Sequence, residues 1–194
     1  MFSATRDILQ TALLALLIFM VLQGTIQNYR VEGSSMNPTL QDNQYLLANK
    51  VLYYHLDKAR LARWLVFIDS EEKSFLYPFH PPSRGEVVVF RYPGDESRHF
   101  VKRVIGVPGD KVQIRGGKVY LNNTELREPY VVGSSNCFPP KICQSWLSDG
   151  EYFVLGDNRQ ASNDSRDWGP VPMENVVGRA WVTYWPFSEA GFLP

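Results

Sequence analysis

The longest apolar run in the chain extends from Ile8 to about Ile26, and its core, Ala12–Leu22, contains no polar residue. A hydrocarbon layer about 30 Å thick requires roughly 20 helical residues to cross it. We therefore predict a transmembrane anchor over residues 8–26, preceded by a short N-terminal tail of residues 1–7. A cleavable secretory signal is the alternative, but no A-x-A cleavage site follows the run.

Residues 27–194 show a different pattern, in which short apolar runs alternate with Gly, Pro and Asn. This pattern is typical of a strand-rich domain with few helices. The clearest element is a hairpin, because Gly116 and Gly117 separate two alternating runs and both can adopt positive φ. Further strands are predicted at Tyr45–Lys50, Gly85–Phe90, Glu151–Leu155 and Arg179–Trp185, and the hairpin strands at Val112–Arg115 and Lys118–Leu121.

A long irregular segment separates the strand ending near Lys50 from the strand beginning at Gly85. Residues 57–68 within it carry apolar side chains at helical spacing beside several cations. One interpretation is a basic amphipathic helix that lies on an anionic membrane surface. The other interpretation is a helix packed on its own domain with a solvated basic edge.

Composition narrows the classes of protein without selecting one. The chain has 194 residues, of which 44% are hydrophobic, so a folded domain is expected and a disordered chain is excluded. Its 20 basic and 20 acidic residues cancel, which argues against a nucleic-acid partner. The two cysteines, Cys137 and Cys143, have no histidine-rich or cysteine-rich neighbourhood, so we predict no metal. The oligomeric state is left open.

The first candidate for chemistry is the stretch Glu32–Leu40, which contains the adjacent hydroxyls of Ser34 and Ser35. By itself a Gly-Ser-Ser sequence before proline is typical of a turn. A serine hydroxyl becomes a nucleophile only when a neighbouring base accepts its proton. No G-x-S-x-G motif is present, and no histidine stands in a setting that indicates a catalytic triad.

The second candidate is the apolar stretch Phe100–Asp110, which carries two adjacent cations, Lys102 and Arg103. Alternation along a strand sends them to opposite faces, so one is expected to point at apolar surroundings. Lys102 is the only credible base of the two, because arginine does not lose its proton in proteins. At its ordinary pKa a lysine is neutral in roughly one molecule in 2,500 at pH 7, whereas a pKa near 8 gives about one in ten.

The third candidate is the polar loop Gly156–Pro170, which directly follows a predicted strand. Its carboxylates and amides resemble a calcium loop, but the glycine expected in the middle is missing and Arg159 and Arg166 compete for the carboxylates. Internal ion pairs and side-chain hydrogen bonds are therefore the predicted use, with Ser162 available to orient a neighbouring side chain.

Taken together and in this order behind an anchor, the three stretches resemble the type I signal peptidase family, the membrane-bound Ser/Lys endopeptidases. The matching stretches are Gly33–Leu40, Arg84–Phe90, Phe100–Val112 and Gly156–Pro172. This resemblance implies a mainly antiparallel β-sheet or barrel-like catalytic domain with one N-terminal transmembrane helix. Compact length favours a cyanobacterial or plastid type of member.

The resemblance also implies roles for individual residues. Ser35 corresponds to the nucleophile, Lys102 to its general base and Ser162 to the serine that orients this lysine. Met36 is expected to contact substrate. At Gly33 many bacterial members have a serine that helps to hold the oxyanion, so this side-chain contribution is missing here.

Three charged residues correspond to family positions that support the site through hydrogen bonds and ion pairs, namely Asp157, Asp164 and Arg166. The implied activity is removal of N-terminal signal peptides from exported preproteins, with no cofactor, and the implied partners are signal peptides and membrane lipid. A catalytic domain on the trans side, periplasmic or in the thylakoid lumen, is expected for a single-pass protein of the plasma or thylakoid membrane. On that oxidising side we expect Cys137 and Cys143 to form a disulfide, with two reduced thiols as the alternative.

Two other functions are carried as alternatives. A Ser/Lys self-cleaving regulator of related fold would use the same two residues, but such proteins lack an N-terminal membrane helix. A membrane-tethered β-domain that only binds a partner would not need the hydroxyl of Ser35 or the amine of Lys102.

Overall fold

The computed structural model describes residues 2–57 and 75–193. A helix, α1, spans Phe2–Thr25, and its segment Arg6–Thr25 is long and apolar enough to cross a membrane. Side chains along it, such as Leu13 and Phe19, are more than half exposed. An apolar helix that is not covered by protein needs another apolar medium around it. The helix therefore supports the predicted anchor, while its retention after synthesis stays a prediction.

The boundaries of this helix differ from the predicted ones. Residues 2–7, predicted as a tail, form the first turns of α1, because a helix once nucleated extends through neighbours that contain no Gly or Pro. At the other end the helix stops at Thr25, and Ile26 begins the first strand, where it pairs with Asn49.

The remaining chain is built mainly from strands. Among the described residues the strands are β1 (Ile26–Arg30), β2 (Tyr45–Asn49), β3 (Leu56–Asp57), β4 (Phe75–Leu76), β5 (Val87–Tyr92), β6 (Asp95–Gly106), β7 (Lys111–Arg115), β8 (Lys118–Leu121), β9 (Thr124–Glu125), β10 (Gln144–Trp146), β11 (Glu151–Leu155), β12 (Val171–Pro172), β13 (Val176–Trp185) and β14 (Gly191–Phe192). A short helix, α2, spans Ser165–Trp168, and 3₁₀ turns occur at Arg159–Ala161, Met173–Asn175 and Phe187–Glu189.

The main sheet has the strand order β1-β2-β13-β5-β6-β11-β12, with β14 added beside β13. All of these neighbours are antiparallel. The predicted class, a mainly antiparallel β domain behind one N-terminal helix, is confirmed. Four antiparallel steps separate β1 from β6, so these two strands run in the same direction.

A smaller sheet contains the predicted hairpin. Its strand order is β10-β7-β8-β9, and β7 pairs with β8 from Val112 with Leu121 to Arg115 with Lys118. Gly116 and Gly117 both have positive φ, 57° and 75°. The two-glycine turn is therefore confirmed, because a tight hairpin needs the left-handed region that glycine occupies without steric cost.

The other predicted strands are observed with small shifts. Glu151–Leu155 has the predicted bounds, and the Tyr45–Lys50 strand ends one residue earlier. The Gly85–Phe90 strand instead covers Val87–Tyr92, and the Arg179–Trp185 strand begins at Val176. The shifts occur at strand ends, where pairing with a neighbour rather than local sequence decides the last residue.

Three clusters of buried apolar side chains hold the sheets together. The first includes Met36, Leu40 and Ala180, the second is built around Phe90 and neighbours from β6 and β11, and the third lies under the small sheet around Ile114. Because the first cluster takes side chains from the stretch after Ser35, the loop that carries this serine is packed onto the sheet.

The predicted amphipathic helix at residues 57–68 lies outside the described residues, apart from Asp57. The described residues on either side pair with each other, Leu56–Asp57 as β3 with Phe75–Leu76 as β4. The amphipathic helix stays a prediction.

Strands β2 and β13 approach each other closely at Gly178, and substitution of this glycine tests the approach. A Cβ added at Gly178 in β13 would lie 2.5 Å from the carbonyl oxygen of Asn49 in β2, whereas a Cβ at Gly191 would meet nothing within 4 Å. We expect Gly178→Ala to lower the free energy of unfolding by about 2 kcal/mol, because backbone must move to admit the methyl group. Denaturant unfolding followed by Trp fluorescence measures this change. Gly191→Ala is the matched control, and equal effects of the two substitutions would contradict the packing argument.

Candidate active site

The loop that carries Ser35 is fixed by buried side chains that follow the serine and by a hydrogen bond that precedes it. Met36 and Leu40 are completely buried, and the N–H of Leu40 donates to the carbonyl of Met36 at 2.9 Å. Gly33 has a φ of 85°, in the left-handed region that favours glycine, and its N–H donates to Asp42 at 2.7 Å. The packing and the turn together fix the position of Ser35.

Lys102 reaches this serine from β6. Its Nζ donates to Ser35 Oγ at 2.8 Å and to the carbonyl of Val101 at 3.0 Å. The side chain is only 4% exposed, and Nζ lies 5.5 Å from the centre of the Phe100 ring. The structure therefore brings together the two residues predicted as nucleophile and base, 67 positions apart in the chain.

Burial changes the proton affinity of this lysine. It lowers the pKa of Lys102 from 10.5 to about 8, while the carboxylates of Asp164 and Asp157 act in the opposite direction. With a pKa of about 8, roughly one Lys102 amine in ten is neutral at pH 7. A neutral amine in hydrogen-bond contact with a hydroxyl is able to accept its proton.

Arg103 occupies the opposite face of β6. One of the two adjacent cations was expected to point at apolar surroundings, and Lys102 is buried as expected; Arg103 is buried as well. The buried guanidinium of Arg103 is paired with a carboxylate, because Asp157 accepts from its Nε at 2.9 Å and its Nη2 at 2.6 Å. Its Nη1 also donates to the carbonyl of Gly85, at 2.6 Å.

The polar loop after β11 is organised by a second buried ion pair. Asp164 accepts from Arg166 Nε at 2.8 Å and Nη2 at 2.9 Å, and both side chains are almost completely buried. The same carboxylate caps the first turn of α2 and accepts from the N–H of Gly156 at 3.1 Å. Asp157, Asp164 and Arg166 thus lie together beside the Ser35–Lys102 pair, with arginines as the partners of both carboxylates.

Ser162 lies close to the pair without the expected contact. It was predicted to orient Lys102, but Ser162 Oγ is buried and has no hydrogen-bond partner among the described residues. The lysine amine donates instead to Ser35 and Val101. A Cβ added at Gly156 would lie 2.3 Å from Ser162 Oγ and 2.5 Å from the carbonyl oxygen of Ser35. Glycine at position 156 is what allows these two groups to approach each other.

Met36 also differs from its expected role. It was predicted to contact substrate, yet its side chain is 0% exposed and belongs to the first apolar cluster. The side chain turns inward because the loop after Ser35 needs an apolar anchor on the sheet. In this structure Met36 supports the nucleophile from below and does not line the cleft.

A cleft of about 530 Å³ opens above Ser35 and Lys102. Its two walls run in the same direction, because one is the segment from β1 to Ser35 and the other is the first half of β6. The residues of β6 before Arg103 pair with β5 along one edge, and no described strand pairs with them along the other edge. Both apolar and polar residues line the cleft, and they include Tyr29, Val31, Leu46, Val89, Arg98, His99, Val101 and Asn163.

One backbone contact and one side chain at the site were not anticipated from the sequence. The N–H of Asn158 donates to the carbonyl of Ser35 at 3.0 Å, which fixes the backbone of the serine. Thr39 Oγ1 donates to Asp157 at 2.5 Å and accepts from Arg103 at 3.0 Å. A signal for Thr39 was present, because it is a hydroxyl residue within the same short stretch as Ser35.

The two cysteines form a disulfide, which resolves the alternatives left open by the sequence. Their loop braces α2: the N–H of Ile142 donates to the carbonyl of Arg166 at 2.6 Å, and Lys141 forms an ion pair with Asp167 at 2.8 Å. The disulfide loop therefore lies behind the residues that hold Asp164 and Arg166 in place.

A serine hydroxyl in contact with a buried lysine, at a cleft in an antiparallel sheet, defines the class of serine hydrolases whose base is lysine in place of histidine. Comparison with known proteins gives the family. The model described as "Signal peptidase, peptidase S26" matches residues 5–185, and the chain belongs to this family.

Several curated relatives carry corresponding names. Probable signal peptidase I-2 of Synechocystis sp. is 37% identical over 171 residues, covering 84% of this chain and 65% of that relative. Signal peptidase I of Bacillus licheniformis is 34% identical and is covered to 91%, with 97% of this chain aligned. Thylakoidal processing peptidase 1, chloroplastic, of Arabidopsis thaliana is 32% identical over 82% of this chain and 42% of its own length.

These similarities confirm the predicted family and, with it, the class of serine endopeptidase. The relatives come from a cyanobacterium, a chloroplast and a Gram-positive bacterium, so the source of this chain stays a prediction. The alignment with the Synechocystis relative leaves about a third of that protein without a counterpart here.

The depressed pKa of Lys102 has a consequence for stability. The unfolded chain binds the lysine proton more tightly than the folded chain, so burying Lys102 costs free energy that is fully present below about pH 8, shrinks as the pH rises and vanishes above 10.5. Lys102→Met is therefore expected to raise the free energy of unfolding at pH 7 by up to about 3 kcal/mol. Urea unfolding between pH 7 and 11 measures the difference, and a gain that does not depend on pH would contradict this origin.

Proposed function

We propose that this chain is a membrane-bound endopeptidase that removes N-terminal signal peptides from exported preproteins, with Ser35 as nucleophile and Lys102 as general base. The observation that carries the proposal is the 2.8 Å contact between Lys102 Nζ and Ser35 Oγ inside a cleft. The names of the relatives, signal peptidase I and thylakoidal processing peptidase, support the same substrate class.

Acylation begins when neutral Lys102 accepts the proton of the Ser35 hydroxyl. Oγ attacks the carbonyl carbon before the cleavage point, and the tetrahedral intermediate collapses as the new ammonium of Lys102 gives its proton to the leaving amine. The signal peptide is then held as an ester of Ser35. Lys102, neutral again, takes a proton from water, the hydroxide attacks the ester, and the proton returns to Ser35 Oγ as the carboxylate leaves.

The oxyanion formed in these steps needs a donor near Ser35. None of the described residues accepts a hydrogen bond from the Ser35 N–H, so this group is available. Its direction is fixed because Asn158 holds the carbonyl of the same residue. Gly33 has no side-chain hydroxyl, whereas many bacterial members of the family have a serine at this position. The N–H of Ser35 is therefore the group that donates to the oxyanion on this side of the site.

In this proposal the remaining predicted site residues do not react themselves but surround and position Ser35 and Lys102. Asp157 and Asp164 are held by Arg103 and Arg166, so their charges are largely compensated and do not force a proton onto Lys102. Ser162 lies within the same buried space, beside the carbonyl of Ser35, where its hydroxyl is available to the reacting groups.

The position of the cleft fits a substrate that emerges from a membrane. Ser35 lies ten residues after Thr25, the end of α1, and a chain spans at most about 3.3 Å per residue, so the nucleophile stays within about 33 Å of the helix end. We place the catalytic domain on the trans side, in the periplasm or thylakoid lumen. The disulfide between Cys137 and Cys143 supports an oxidising compartment.

The cleft also fits the small side chains that family substrates carry at the first and third positions before the cut. Val31, Leu46, Val89 and Val101 give its floor short apolar side chains near the nucleophile. A substrate strand laid between β1 and β6 would place alternate side chains against this floor, since side chains along a strand alternate in direction.

Replacement of either catalytic group tests the proposal. Ser35→Ala and Lys102→Ala are each expected to lower preprotein cleavage by at least about 10³-fold, because either change removes the nucleophile or its activation. Cleavage by the purified full chain in detergent is measured on gels with a preprotein substrate. Ser97→Ala and Lys118→Ala, at exposed positions of β6 and β8, are matched controls that should retain full activity.

Retained processing in either catalytic variant would reject the assigned dyad. If the parent chain cleaves only itself, and no preprotein, a self-cleaving regulator is the better description. A chain that performs its cellular task with both substitutions would be a binding module.

A further inference from the structure

Residues 128–132, here called the clasp segment, follow β9 and lie against the polar loop Gly156–Pro170, here called the catalytic loop. The N–H of Val132 donates to the carbonyl of Asp157 at 2.9 Å, and the N–H of Arg159 donates back to the carbonyl of Val132 at 3.1 Å. These bonds form a parallel bridge between Val132 and Asn158. The clasp segment therefore holds the backbone of the three residues next to the nucleophile.

Glu128, at the start of the clasp segment, pairs with Arg159 in the catalytic loop. Arg159 is 0% exposed and Glu128 9%, and the two side chains make two contacts, one of them Nη1 to Oε2 at 3.0 Å. Arg159 also donates to the carbonyl of Gly156 at 3.0 Å and to the hydroxyl of Ser135. Glu128 is the carboxylate that balances this buried guanidinium, and without it the loop would contain an unpaired charge.

Tyr130, in the middle of the clasp segment, covers a different guanidinium. Its ring centre lies 4.1 Å from the Cζ atom of Arg103, whose edge binds Asp157. The ring thus closes one face of the Arg103–Asp157 pair against water, and a dry environment strengthens the attraction between the two charges. Asp157 is in turn one of the two carboxylates that act on Lys102.

Two routes therefore lead from the clasp segment to the reacting groups. The first runs from Glu128 through Arg159 to the backbone at Asn158, whose N–H binds the carbonyl of Ser35 at 3.0 Å. The second runs from the ring of Tyr130 through the Arg103–Asp157 pair to Lys102. Neither Glu128 nor Tyr130 lines the cleft itself.

We propose that Glu128 and Tyr130 are positioning residues for the Ser35–Lys102 pair, Glu128 by fixing the loop that holds the serine backbone and Tyr130 by shielding the charge pair behind the lysine. This inference rests on the proposed function of the dyad. It assigns a catalytic purpose to a segment that contributes no reacting atom.

The two residues are expected to have different kinetic signatures. The charged groups around Lys102 are the carboxylates of Asp157 and Asp164 with their partners Arg103 and Arg166. Loss of the Tyr130 ring admits water, weakens the Arg103–Asp157 attraction and leaves more of the Asp157 charge acting on Lys102. The entry of water and the stronger action of the Asp157 charge both raise the pKa of Lys102, so cleavage should need a higher pH.

Loss of the Glu128 charge should act on geometry. With the loop less firmly held, the backbone of Ser35 is displaced in a fraction of the molecules, and kcat falls while KM is kept. The acid limb of the pH–rate profile should then stay where it is, because the surroundings of Lys102 are unchanged.

The experiment uses the full chain in detergent micelles with four variants: Tyr130→Leu, Tyr130→Phe, Glu128→Gln and, as control, Arg127→Ala at a neighbouring exposed position. Leucine keeps an apolar side chain at position 130, so that variant tests the ring without emptying the site, and phenylalanine keeps the ring. Titration of Lys102 is followed by ¹³C NMR of its Cε, assigned through Lys102→Ala. The pH dependence of kcat and KM is measured with a preprotein substrate.

In Tyr130→Leu we expect the Lys102 midpoint and the acid limb of kcat/KM to move up together by about one pH unit. Tyr130→Phe and Arg127→Ala should match the parent chain. Glu128→Gln should lower kcat about tenfold at all pH values with unchanged KM.

A folded Tyr130→Leu variant that titrates and cleaves as the parent does would overturn the role of Tyr130. A Glu128→Gln variant with parental kcat, or with a change in KM alone, would overturn the role of Glu128. If no protein cleaves the preprotein, the parent included, but the Lys102 midpoint still moves in Tyr130→Leu, the proposed function fails while the shielding by Tyr130 stands.

Discussion

A lysine amine buried 2.8 Å from a serine hydroxyl is the interaction on which the rest of this structure depends. Removing the charge of an amine from water is unfavourable, and here it lowers the pKa of Lys102 to about 8. That shift corresponds to about 3 kcal/mol of folding free energy, a large share of what a domain of this size has available. The apolar clusters of the sheets offset this cost, so the packing of the core and the reactivity of the site are linked through one side chain.

Three arginine–carboxylate pairs compensate the charges near this lysine and hold the loop beside it. Arg103 with Asp157, Arg166 with Asp164 and Arg159 with Glu128 are all buried or nearly so. Each pair leaves little uncompensated charge, so the carboxylates brace the catalytic loop without strongly protonating the amine. Removal of one partner from a buried pair of this kind is strongly destabilising, because it leaves an uncompensated buried charge. The position of the loop matters because an error of about 1 Å between nucleophile and base reduces catalysis severely.

Membrane and catalytic parts of the chain are joined by a very short connection. Helix α1 ends at Thr25, β1 begins at the next residue, and the loop with Ser35 follows shortly after β1. The strand that follows the helix is also one wall of the cleft. The apolar helix, this cleft wall and Ser35 are thus placed by one continuous stretch of the chain.

Local pattern in the sequence was sufficient for the strands and for the hairpin at Gly116–Gly117, since alternation and turn chemistry depend on neighbouring residues. It was also sufficient for the choice of Lys102 over Arg103 as base, because the ability of lysine, unlike arginine, to lose its proton is a property of residue type. Resemblance to a family added the pairing with Ser35. Only the tertiary structure decided that Arg103 is buried as well, that Met36 points into the core and that Ser162 does not form a hydrogen bond with the lysine. Burial of a polar group depends on its partner, and the partner of Arg103 lies 54 residues away at Asp157, where no local pattern reaches.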